Sequence, residues 1–364
     1  NLATAGFKVA LVEAGINPLD PQEISDPLTP FLYQTPLLFT AAAESHEISW
    51  DFYVKHYSNQ QQAERDTKYV PGKGVLYPRG SALGGSASHN AMVWMYPHDL
   101  DFDRIANITG DDSWRASRMR PYFEKVESCG YCTPLTSEGH GAAGYIPANM
   151  LDQTAYEIDP VLEKLTNAGG TLPSSYYHGN ETRDVNHPLV AKGDTGAFNA
   201  PQHTKNNVRI TIVERLIEIK NQYPDNLHLI TGALASKVLM ESLPGRMPKA
   251  IGVEYFEGKN VYKADKDYAD DNSYLKKSIY ARREVILAGG TFNTPQLLML
   301  SGIGDRKELK KVGIDAIVDL PGVGKNLQDR YEVPVSVELK EDLSLLRSCR
   351  PTAPQDPCLD SYFS

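Results

Sequence analysis

The sequence is short of positive charge: 37 Lys and Arg stand against 46 Asp and Glu, a formal net charge of −9. Nucleic-acid binding rests mainly on clustered Lys and Arg against phosphate, so this balance argues against a nucleic-acid partner. Long apolar runs are missing too. The longest uncharged stretch, residues 27–43, carries Pro27, Pro30, Gln34 and Pro36, which excludes a membrane span there. There is no internal repeat and no low-complexity tract, and the nine histidines show no metal-ligand spacing. No signal peptide is evident, but the chain opens at Asn1 rather than Met, so that absence excludes nothing. What is present is ordinary globular usage, 41% hydrophobic and 23% charged, which excludes disorder, collagen and coiled coil. Single cores rarely exceed about 250–300 residues, so a chain of 364 residues is expected to form two lobes.

Cysteine is also scarce, with four residues. Cys129 and Cys132 form a CGYC pair, and Cys349 and Cys358 lie in a Pro-rich tail. A redox-active CxxC opens a helix, whose N-terminus lowers the thiol pKa; this one follows an amphipathic helix instead. A structural zinc site needs a second short knuckle, which the tail does not supply. Structural disulfides are therefore the favoured reading. Together with two glycosylation sequons, at Asn107 and Asn180, they favour a secreted protein, with a cytoplasmic one as the alternative.

Along the chain, residues 1–6 read as the last turns of a helix closed by Gly6. Residues 7–15 form a nearly unbroken apolar strand ending in Glu13 and Gly15, as in a parallel sheet covered on both faces. Met119, Tyr122, Phe123 and Val126 have helical spacing within 111–129, and Ile212 and Leu216 mark a helix over 211–221. Residues 170–207 are polar and punctuated by Gly and Pro, an irregular excursion of the kind that carries a binding surface or lid. Strands are expected over 227–240, 249–256 and 284–288.

An acid ending a strand after a first helix is the residue that bonds the ribose hydroxyls in dinucleotide-binding units, and Glu13 occupies such a place. Residues 77–95, YPRGSALGGSASHNAMVWM, are the most informative stretch. Gly80, Gly84 and Gly85 let the backbone approach a ligand closely, Ser86 adds a hydroxyl, and Asn90 can bond the polar edge of a ring.

This segment resembles the first signature of the glucose–methanol–choline (GMC) family of FAD-dependent oxidoreductases, through Gly80, Leu83-Gly84-Gly85-Ser86, Asn90, Trp94, Pro97 and Asp103. It departs from the pattern at Ser81, Ala87 and His89. Residues 290–304, GTFNTPQLLMLSGIG, resemble the second signature throughout: an extended segment ending in glycines, then Pro295 starting a helix that Gly302 ends. Weaker likenesses run through Glu13-Ala14-Gly15, residues 114–127, Gly139-His140-Gly141 and residues 320–329, the flavin-side loop ending at Asp329. Arg330 departs, since His is usual there.

The resemblance implies an α/β fold (α+β overall): a Rossmann-like FAD-binding lobe with a mixed sheet and a substrate-side lobe with an antiparallel sheet, both incomplete. The expected division is 1–140 as the first part of the FAD-binding domain, 141–207 as a substrate-side segment, 208–330 as its second part and 331–364 as the start of a substrate domain. The implied cofactor contacts are Glu13, Ala14, Gly80, Ala82, Gly84, Gly85, Ser86, His89, Asn90, Ala91, Met92, Val93, Val238 and Asp329. The triplet Ser88-His89-Asn90 resembles choline-oxidase- and choline-dehydrogenase-like members of fungal type, in some of which this His is bonded covalently to the flavin; the alternative is a packed, hydrogen-bonded His89. Such enzymes transfer hydride from an alcohol carbon to flavin N5, with a His removing the hydroxyl proton. That catalytic His region and the Gly-rich phosphate turn have no counterpart here, so no catalytic residue and no metal ligand is assigned. A small alcohol as substrate and oxygen or a quinone as acceptor are the implied partners. A hydroxynitrile lyase of the same fold and a non-catalytic truncated chain are the alternatives.

Overall fold

The computed structural model describes residues 1–133, 137–150, 184–188, 190–193, 198–270 and 274–330, with isolated positions in 158–164 and 332–349. The sequon at Asn180, half of the irregular stretch 170–207 and the tail beyond 350 lie outside the described residues. The chain divides into two compact units. One comprises Asn1–Leu32, Ala41–His89 and Leu216–Pro334; the other comprises Tyr33–Thr40, Asn90–Arg215 and Val335–Ser364. The break at His89/Asn90 falls inside the Gly-rich segment.

In the first unit, the β-rich run Val9–Val12 pairs in parallel with Leu227–Ile230, Val9 opposite Leu227 and Val12 opposite Ile230. Turns over the first residues end at Gly6, whose φ of +87° needs no Cβ. Ala3, Ile219 and Leu227 pack with Val9, Leu216 and Leu229 into a small core, so the helix Ile212–Gln222 covers this ladder with its apolar stripe. Ala233–Glu241, Lys249–Glu257 and Leu275–Tyr280 form an antiparallel sheet, with a bulge between Ala235 and Lys237. Ser49–Val54, Gly74–Gly80 and Tyr69–Val70 form another. The expected strand over 284–288 forms no ladder among the described residues; the sheet of Ala233–Glu241 and Lys249–Glu257 has Leu275–Tyr280 as its third strand. An apolar extended run becomes a strand only beside a neighbour that accepts its backbone hydrogen bonds. The helix Gly290–Leu300 follows, as the second signature requires.

The second unit holds the helices Asp99–Thr109 and Ala116–Val126. His98 Nδ1 caps the first by accepting from the Leu100 amide, and Gly110, with φ +70°, closes it. Its ladders are short: Glu127–Cys129 runs parallel to Ile146–Ala148, and Thr204–Lys205 antiparallel to Val208–Arg209. Among the described residues no helix is long and apolar enough to cross a membrane.

Candidate functional site

Backbone hydrogen bonds grip Glu13 on both sides: its amide donates to Ile230 O at 2.9 Å, and its carbonyl accepts from the Ala233 amide at 2.8 Å. The carboxylate Oε1 accepts from the Gly15 amide at 3.1 Å. Burial among protein atoms pushes this carboxyl from 4.5 up to about 7, against the downward pull of the Gly15 and Ala14 amides. The residue as a whole is nevertheless only half-buried. Among the described residues no Lys or Arg pairs with it. Neutral hydroxyl donors would satisfy a carboxylate so placed, and vicinal ones above all.

The turn after Glu13 is pressed against the glycine-rich segment. A Cβ on Gly15 would lie 1.5 Å from the Ser81 carbonyl oxygen, so only glycine allows this approach. The contact continues as a parallel bridge between Ile16 and Ala82, with the Leu83 amide donating to Ile16 O at 2.8 Å. Ala82 packs there with Ala42 and Ile48. One turn further on, a Cβ on Gly80 would strike the Gly85 carbonyl at 2.3 Å, and the Gly80 amide donates to Ser86 Oγ at 3.1 Å. Gly84 and Gly85 have φ of +92° and +60°, and a Cβ on Gly85 would meet open space. The loop is thus folded back on itself on one side and bare of side chains on the other, a cradle for a group that approaches main chain. His89 ends this loop with 5% exposure, its amide donating to Ser86 O at 3.3 Å.

Asn90, Ala91, Met92 and Val93 belong to the second unit. There Asn90 Oδ1 accepts twice, from the Met92 amide at 3.0 Å and from Arg209 Nη1 at 2.8 Å. Two donors on one oxygen fix which end of the amide is which. The NH2 group of this exposed residue is therefore the end available to a ligand. Met92 adopts φ +60° and is buried, while its carbonyl accepts from the His203 amide at 2.9 Å; Val93 bridges Gln202 and is 48% exposed. Arg209 is fully covered. Its Nε donates to Tyr33 O at 2.7 Å, and burial lowers its pKa to about 10. The Tyr33 hydroxyl is in turn held 2.7 Å from Thr211 Oγ1 and 2.9 Å from Glu214 Oε1. This Arg209–Tyr33 support for Asn90 was not read from the sequence, where the residues stand 119 and 57 positions from Asn90.

Val238 and Asp329 are the remaining expected contacts. Ala233 is where the strand leaves Glu13, and Val238 lies five residues on, about 16 Å of extended chain. The Val238 amide donates to Ser301 Oγ at 2.8 Å, and Ser301 Oγ donates to Leu297 O at 2.6 Å. That N–H therefore ties the strand to a helix end. Asp329 is exposed and accepts from the Arg330 amide at 2.8 Å.

A separate buried cluster lies in the second unit. The fully covered Glu127 accepts from Trp94 Nε1 at 3.0 Å, Tyr96 OH at 2.7 Å and the Gly141 amide at 2.8 Å, with His140 Nδ1 at 3.2 Å. His140 Nε2 is 2.7 Å from Asp184. Burial alone would lower the pKa of this histidine, but hydrogen bonds to Asp184 and Glu127 carry it up to about 9. Burial would raise Glu127, yet His140, the Gly141 amide and Tyr96 hold it below the usual carboxylate range. Cys129 and Cys132 are joined in a disulfide, and Cys349 is disulfide-bonded as well.

A family model described as GMC oxidoreductase matches residues 33–332. The oxygen-dependent choline dehydrogenase of Brucella ovis is 30% identical over 312 residues, 85% of this chain and 48% of that protein. The GMC oxidoreductase family protein Mala s 12 of Malassezia sympodialis is 26% identical over 350 residues, 93% of this chain and 49% of its own length. The chain thus spans about half the length of the curated relatives it matches. Among solved structures, formate oxidase of Aspergillus oryzae superposes with a TM-score of 0.62 at 23% identity, covering 86% of this chain and 46% of that one. A fungal aryl-alcohol oxidase gives 0.57 at 20% identity, covering 90% and 48%. These last two likenesses speak for the fold.

Proposed function

Because the chain belongs to the GMC oxidoreductase family, whose members are FAD-dependent oxidoreductases, we propose that it supplies the FAD-binding part of an enzyme that oxidises the CH–OH group of a small alcohol. The observation that carries this reading is the Glu13–Gly15 turn locked onto Ser81 and Ala82, which ties a carboxylate that pairs with no Lys or Arg among the described residues to the glycine-rich loop. The residues fit the group. In the first unit, Glu13 would accept from the adenosine ribose hydroxyls and Gly80, Gly84, Gly85 and Ser86 would admit the pyrophosphate to main chain; in the second unit, Asn90 has its NH2 end available for the polar edge of a ring. Ala14 and Ala82 in the first unit, and Ala91, Met92 and Val93 in the second, would add small or apolar contacts. When bound, the flavin supplies the hydride acceptor; this chain's own residues hold and orient it, and none of them is assigned the proton abstraction. The final electron acceptor in this reading is oxygen or a quinone. The burial of His89 supports its packed role over a covalent tether, and acid precipitation decides between them: flavin released to the supernatant fits the packed role, and a yellow pellet the tether. The disulfide-bonded cysteines and the exposed Asn107 support secretion.

The test is FAD binding followed by flavin fluorescence and absorbance. Arg209→Gln should weaken binding about 10-fold or more, through loss of a charged hydrogen bond to Asn90. Gly84→Val with Asn90→Leu should abolish it. Equal flavin content in wild type and the double variant would overturn the reading.

A further inference from the structure

Residues 55–75, all within the first unit, fold around a pocket of their own. Its volume is about 270 Å3. At the ~30 Å3 that a water occupies in the liquid, this is room for roughly nine water-sized atoms. None of the lining residues is among those proposed above to hold FAD.

The pocket forms for local reasons. Lys73 sits in the turn between Tyr69–Val70 and Gly74–Gly80, flanked by Gly72 with φ +76° and Gly74 with φ +123°. A Cβ on Gly74 would lie 2.6 Å from the Val54 carbonyl oxygen, so only glycine lets this turn meet the strand Ser49–Val54. Across the pocket, Asn59 Oδ1 accepts from the Gln62 amide at 3.0 Å and starts the helical turn Gln60–Ala63. Ala63 and Val75, both buried, supply the apolar part of the lining.

The polar part is rich in unused donors. Lys55 Nζ and Tyr57 OH have no hydrogen-bond or ion-pair partner among the described residues. Lys73 Nζ rests 4.9 Å from the centre of the Tyr53 ring, a contact that occupies none of its three N–H groups. Tyr69 OH accepts from Gln60 Nε2 at 2.9 Å and from the Gly72 amide at 3.3 Å, so its own proton is left to donate. The one carboxylate in the lining, Asp66, is engaged already. Its Oδ1 accepts from the Lys68 amide at 3.0 Å, and its Oδ2 lies 3.4 Å from His56 Nδ1. Two ammoniums and two phenol O–H groups therefore stand open to an anion, in a chain whose net charge is −9.

We propose that this pocket binds a small aromatic monocarboxylate of benzoate size, with its carboxylate on Lys55 and Lys73 and its ring against Tyr57, Tyr69, Ala63 and Val75. A phosphate or sulfate ion would meet the donors but leave the apolar part of the lining wet. A neutral aromatic would cover that part and leave both ammoniums without a counter-charge. An aryl carboxylate of about nine non-hydrogen atoms satisfies both and matches the volume.

The experiment is a calorimetric titration of the full 364-residue chain with sodium benzoate at low ionic strength. One site per chain is expected, weakening as salt is raised. Lys55→Gln and Lys73→Gln should each lower the affinity about 10-fold through loss of a charged hydrogen bond, with unchanged circular dichroism. Benzyl alcohol has the ring without the charge, and inorganic phosphate the charge without the ring; each should bind at least 10-fold more weakly. Saturating FAD should leave the benzoate affinity unchanged. The proposal is overturned if benzoate does not bind, if the variant carrying both lysine substitutions binds it like the parent, if benzyl alcohol or phosphate binds equally well, or if FAD displaces it.

Discussion

Replacing Glu13 by Gln should stabilise the protein free of ligand at neutral pH and weaken its hold on FAD at the same time. A tenfold difference in proton affinity is worth about 1.4 kcal/mol. The gap between the ordinary 4.5 and the folded value of about 7 therefore corresponds to roughly 3 kcal/mol. Because the residue as a whole is only half-buried, screening brings this to about 2 kcal/mol. The sign follows from the direction: the folded chain holds this proton more tightly than the unfolded one. The stabilisation is complete below 4.5 and is lost as pH rises through about 7. Gln is neutral throughout and still accepts from the Gly15 amide, though it gives up the bond to Ala14, at about 0.5–1 kcal/mol. Urea midpoints at pH 4, 6 and 8 should then show Glu13→Gln equal to or slightly below wild type at pH 4 and about 1–2 kcal/mol above it at pH 8, with an unchanged m-value. With FAD present the order reverses, since charged hydrogen bonds to the ribose hydroxyls are lost and affinity falls about 10- to 150-fold. A stability difference that does not vary with pH, or a variant that binds FAD as tightly as wild type, would refute the reasoning.

Two glycines of the same site should respond oppositely to the same substitution. Gly15→Ala drives a methyl into the Ser81 carbonyl and parts the Ile16–Ala82 bridge, costing about 3–5 kcal/mol in a denaturation midpoint. Gly85→Ala meets open space and costs only about 1–2 kcal/mol for its φ of +60°, yet it should lower FAD affinity by filling the cradle, as a binding titration would show. Stability should also fall as pH rises from 6.5 through about 9, the range over which the folded state alone keeps His140 protonated. Thermal melts across that range should show the decline in wild type and a flatter profile in His140→Asn.

The parts legible in the sequence are those whose reasons are local. The spacing of Met119, Tyr122, Phe123 and Val126 is realised in Ala116–Val126, and the apolar run ending at Glu13 is a parallel strand. The glycines at 80, 84 and 85 sit where close approach and positive φ demand them. What was not legible depends on partners distant in the chain. The run 284–288 has strand composition, but pairing is decided by what stands beside it, and it has no ladder partner among the described residues. The bulge at 235–237 and the Val238 amide's bond to Ser301 are likewise not revealed by composition. The His140 cluster draws on residues from Trp94 to Asp184, whose carboxylates and rings look individually unremarkable until a helix and two short strands bring them together.

The hydrogen bond from Val238 to Ser301 has a bearing on how the first unit breathes. Ser301 also grips Leu297, so the strand Ala233–Glu241 and the last turn of Gly290–Leu300 share one fastening. The proton on that buried amide can exchange with water only when helix and strand part, which makes them one cooperative opening unit and not two. The end of the second signature at Ser301 is thus tied to the exchange of a strand amide far from it in sequence.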